Sequence, residues 1–220
     1  MTGVEASLLK LGVKPLIQWM TRFSERNTDT FVRARDEMFR EWVAELHQAL
    51  SVLVPEWERR FTDLQDKIDN IAEDPQLLRL LDNFGYEASR ETIDERRRLL
   101  AHAAAGAMMP ELTIAQKARV ERVLRELDPE DVVALHRIRS AADAVLRHKE
   151  WSTSGASADA LVGSGCVRAF TPEVYDAVPV VVVTTLGSWI LEMCNSYVLA
   201  AQPVPSSANA EPQEKGETWE

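Results

Sequence analysis

Four helix-start signals stand in series along the middle of the chain, and they constrain the fold more than any other feature. Asp74-Pro75 places an N-cap side chain before a first-turn proline, where the missing N–H is not needed. Thr92-Ile93-Asp94-Glu95 has capping-box spacing: the hydroxyl accepts from the N3 amide while the glutamate reaches back. Thr113-Ile114-Ala115-Gln116 repeats the pattern. Asp128-Pro129-Glu130-Asp131 joins a cap, a proline and acids that complement the helix dipole. The spacing predicts helices over 75–90, 92–109, 113–127 and 129–149, with tight breaks such as Met109-Pro110 between them. Short connections favour antiparallel neighbours, so residues 74–150 are read as a helical bundle.

Long apolar-patterned segments precede this bundle. Residues 6–22 carry Leu8, Leu9, Leu11, Leu16, Ile17 and Trp19 and fit a short helix, kinked or started at Pro15. Such a helix docks on a membrane surface or a partner, or packs on the bundle, and the last is the simpler reading. Over 24–53, Phe31, Met38, Phe39, Trp42, Val43, Leu46, Leu50 and Leu53 recur at helical spacing until Pro55 interrupts. A second helix is expected over 55–72, with Trp57, Phe61, Leu64, Ile68 and Ile71 at alternating steps of four and three. That is a two-heptad seam, able to pack internally or to pair with a second copy. Trp57, Phe61, Leu64 and Ile68 are the candidate interaction surface, and residues 1–73 form an N-terminal helical arm.

The chain changes character after residue 150. Residues 151–157 read as a loop, and Ser157 can cap a short helix over 158–164 that Gly163 and Gly165 stop. Cys166–Phe170 and the β-branched run Val178–Val183 read as two short strands, the second an edge strand because of Pro179. Thr184 caps a last helix over 185–199. A helix ending in Gly, a hairpin and Val183-Thr184-Thr185-Leu186-Gly187 opening the next helix look like the end of a winged-helix-type module, placed at 151–200. Residues 201–220, rich in Pro, Ser, Ala and Glu, read as a disordered acidic tail.

Apolar residues make up 45% of the 220, enough to bury a substantial core. The two cysteines, Cys166 and Cys194, are read as reduced buried thiols, because a chain of this size needs no disulfide staple; a bridge between them stays open. The formal net charge of −10 opposes phosphate backbones and anionic lipid, so nucleic acid is not the expected partner. A winged-helix module that reads DNA projects basic or amide side chains into a groove, whereas 157–164 carries no base and one acid. Under a DNA-binding alternative the contacts would be Arg147, Lys149 and Arg168. Arg96-Arg97-Arg98 fan around a helix and are read as ion-pairing within the bundle.

No nucleophile elbow, P-loop, dinucleotide fingerprint or HExxH occurs. His47, His102, His136 and His148 lack a ligand partner at helical spacing, and His102, in an alanine-rich stretch, reads as a packing histidine. No catalytic residue, metal site or cofactor is expected. An enzyme whose carboxylates are gathered only by folding is the third alternative. No apolar stretch has the length and purity of a membrane span, and no basic region with a cleavage site opens the chain, so a cytoplasmic protein is expected.

Ala88-Ser89-Arg90-Glu91-Thr92 through Glu95-Arg96-Arg97-Arg98-Leu99-Leu100-Ala101, then Leu127-Asp128-Pro129-Glu130-Asp131 and the closing Val183–Gly187 with Cys194, resemble a group of bacterial helical proteins. The abortive-infection alpha family is the nearest named group, and the likeness covers about 74–199. It departs at Asp128, where the group has Ser or Thr, and at Val183, where it has Leu. The resemblance implies a link to phage defence and brings no catalytic residue. The expectation is therefore a mainly α protein with long N-terminal helices, a helical bundle and a small winged-helix-like end with two short strands. It would act as a non-enzymatic bacterial interaction component through a protein partner, and homodimerise through 24–72.

Overall fold

The computed structural model describes residues 33–60, 74–108, 111–170 and 179–201. Among these the protein is mainly α, with nine helices and one two-stranded antiparallel hairpin. The predicted helix over 6–22, the seam beyond residue 60 and the acidic tail lie outside the described residues.

Helix α1 spans Arg33–Arg60. The sequence predicted a break at Pro55, and the structure corrects this, since the helix continues through it. Ser51 and Pro55 are both exposed, so the carbonyl that loses its amide partner is on the solvent side while Leu53 and Val54 stay buried. Helix α2 (Pro75–Ala88) begins as expected, with Asp74 Oδ1 accepting the Gln76 N–H at 2.8 Å.

Helix α3 (Asp94–Ala107) starts later than predicted, and the Thr92–Glu95 capping box does not form. Ile93 takes the cap position, Glu91 Oε1 accepts the Ile93 N–H at 3.0 Å, and Glu95 is drawn to Tyr197. From Leu99 to Met108 every residue is buried, because α3 is the central helix. It packs against α1, α2 and the two final helices. Its alanines let those neighbours approach closely, and a Cβ at Gly106 would collide with the Met193 carbonyl.

Helix α4 (Ile114–Leu124) carries the predicted Thr113–Gln116 box. Helix α5 (Pro129–Ser140) begins at Asp128, whose N–H donates to Asp131 Oδ2 at 2.8 Å. The single helix predicted over 129–149 is corrected to two. Ala141 turns extended, and Asp143 Oδ1 accepts the Leu146 N–H to cap α6 (Ala144–Thr153). An aspartate that can cap competes with the helix interior, and here it wins. The loop predicted from 151 begins later, because the Ser152 and Thr153 hydroxyls donate back to the Lys149 carbonyl and carry α6 to Thr153. Gly155, at φ +54°, then makes the turn into α7 (Ala156–Gly163).

Strand β1 (Val167–Phe170) pairs antiparallel with β2 (Val180–Val183), in the register Val167 to Val183 and Phe170 to Val180. Thr184 then ties the hairpin to the next element. Its N–H donates to the Cys166 carbonyl at 2.9 Å, its hydroxyl donates to the Gly165 carbonyl at 2.7 Å, and Oγ1 accepts the Gly187 N–H at 3.2 Å. The last helix predicted over 185–199 is two helices, α8 (Thr185–Met193) and α9 (Asn195–Ala201), with a bend at Cys194. One apolar core runs from Trp42 on α1 to Val198 on α9.

Candidate functional site

Among the described residues, a polar cluster lies where α1, α3 and α9 meet. Helical spacing puts Glu45 on the α1 flank that faces α3. Glu95, Arg98 and His102 follow one another at three- and four-residue steps along α3. The bend at Cys194 delivers Ser196 and Tyr197. His102 Nδ1 stands 2.8 Å from Ser196 Oγ, and the Tyr197 hydroxyl donates to Glu95 Oε1 at 2.7 Å. The His102 and Tyr197 rings meet edge to face at 5.8 Å. Arg98 lies 3.6 Å from Glu45 and 3.9 Å from Glu95, and Glu45 Oε2 is 4.0 Å from His102 Nε2.

Electrostatics follow from burial. Desolvation, helped by the Arg98 charge, lowers the His102 pKa to about 4, so the imidazole is neutral at physiological pH. With its proton on Nε2 the ring turns an N–H toward Glu45 and accepts from the Ser196 hydroxyl on Nδ1. Burial, then the Glu95 carboxylate, hold the Tyr197 phenol above its ordinary value.

Carboxylate, imidazole and hydroxyl stand in the order of a nucleophile relay. The burial argues against that chemistry. Both His102 and Ser196 are only 1% exposed, so no reactant reaches the hydroxyl in this conformation. What the arrangement does is fasten α9 to α1 and α3. Sequence reasoning singled out His102 as a packing histidine and missed Ser196, since no local pattern marks a partner so distant in the chain.

The arginine run divides its work. Arg96 donates to the Arg125 and Leu127 carbonyls and to Asp128, and pairs with Glu91. Arg97 pairs with Glu41 and Asp94, and Arg98 with Glu45 and Glu95. All three are engaged inside the bundle, as their fan around the helix implied. Lys117, 5% exposed, is lowered to about 8 by burial, against the opposing pull of Glu111 and Asp74.

Trp57 is on α1, with its side chain outside the described residues, as are Phe61, Leu64 and Ile68 altogether. Arg147 and Lys149 lie on α6, which packs against β2, and Arg168 lies on β1 opposite Val182. Both cysteines are free and buried, and burial raises each thiol pKa. Among the described residues no three His, Cys, Asp or Glu side chains form a group able to hold a metal, and no helix is long and apolar enough to cross a membrane.

The hairpin carries one exposed apolar face. Val167 and Val181 point into the core, so the outer face is Arg168, Phe170, Val180 and Val182. Phe170 is 52% exposed and the two valines are each 39% exposed.

Comparison with protein-family models, curated proteins and solved structures finds no match for the chain.

Proposed function

We propose that this chain is a non-enzymatic protein-interaction component that uses the outer face of its hairpin to contact a protein partner. The observation behind the reading is that exposed face: three large apolar side chains, Phe170, Val180 and Val182, stand together on a hairpin anchored in the core through Val167 and Val181 on its other face. The burial of His102 and Ser196 favours it over an enzymatic role. Helices, a two-stranded hairpin and a Thr-capped helix follow in the order of a winged-helix-like module, here put to use in protein contact. With the abortive-infection alpha resemblance, this suggests a bacterial phage-defence component. Homodimerisation through 24–72 would not use Trp42, Leu46, Leu50 and Leu53 on α1, which are already buried within the chain.

The experiment is an affinity pull-down of the full chain from host lysate, with and without nuclease, comparing wild type with Phe170→Ser. A protein recovered with nuclease present, and lost with Phe170→Ser, supports the reading. Recovery of nucleic acid alone would replace it with the DNA-binding alternative through Arg147, Lys149 and Arg168.

A further inference from the structure

We draw no further inference here: the strongest candidate, the apolar surface patch of Phe170, Val180 and Val182 on the outer face of the β1–β2 hairpin, carries nothing beyond the interaction reading because nothing in the structure shows what covers it.

Discussion

The imidazole of His102 and the hydroxyl of Ser196 meet at 2.8 Å although 94 residues separate them in the chain. Each is 1% exposed, so the pair closes the seam between the central helix and the last described one without contact with water. Its strength therefore depends on the ring staying neutral.

The pH dependence follows from that neutrality. The His102 pKa in the folded state is about 4, against 6.5 for a freely solvated histidine, so between these values the unfolded chain binds the extra proton. Stability is full above about pH 6.5 and falls as pH drops toward 4, by about 3 kcal/mol from this group alone. Denaturant titrations across that range should show the loss, and His102→Gln should flatten the slope. The imidazole signal assigned to His102 by its disappearance in His102→Gln should not titrate near 6.5 in NMR spectra, and one that does would contradict the reading.

Gly106 tests how close the helices are. A Cβ there would collide with the Met193 carbonyl, which is backbone and cannot swing away. Gly106→Ala should cost about 3 kcal/mol or more. Gly163, at the end of α7, has nothing near its would-be Cβ, and Gly163→Ala should be neutral or slightly stabilising. Thermal unfolding of the two variants side by side is the check.

Lys117 is charged at a buried position. Its pKa is about 8 when folded and 10.5 when free, so the unfolded chain holds more protons between those values. Stability contributed through this group rises as pH increases from about 8 to 10.5. Lys117→Met should stabilise the protein at pH 7 by about 1–3 kcal/mol and remove that rise. Chemical denaturation at pH 7 and pH 10 measures both effects.

Arg96 closes the end of a neighbouring helix. It donates to the Arg125 and Leu127 carbonyls, which follow α4, and pairs with Glu91 and Asp128. Arg96→Ala should cost about 2–3 kcal/mol, and Arg96→Lys should recover little of it, because an ammonium cannot span the same acceptors. Faster amide exchange over residues 114–131 in both variants would locate the effect.

What could be read from the sequence was what local chemistry decides. Asp74, Thr113, Asp128 and Thr184 each begin a helix where the pattern placed them, because a cap and its amide are neighbours in the chain. Thr92 failed for the opposite reason: Glu95, which would have completed its box, accepts instead from Tyr197, 102 residues away. The break at Ala141–Asp143 was hidden because apolar spacing continues through it, and the bend at Cys194 because no proline or glycine marks it. The β-branched run gave the second strand, but four consecutive valines carry no alternation, so the register and the choice of Val181 as the inward residue were decided by the tertiary packing. The cluster of Glu45, His102 and Ser196 could not be foreseen, since its members sit on three helices whose meeting only the tertiary packing decides.

The junction of α1 with α9 also has a consequence for how the chain reaches this state. Leu46 and Trp42 share one core with Tyr197 and Val198, so the earliest described helix has no finished environment until the ribosome has delivered the latest one. Contacts of such long sequence separation carry the loop-closure entropy that slows folding. During synthesis, α1 and α3 must keep their apolar faces apart from other chains. A nascent chain halted before Ser196 should remain chaperone-bound, and release should follow once α9 has been made.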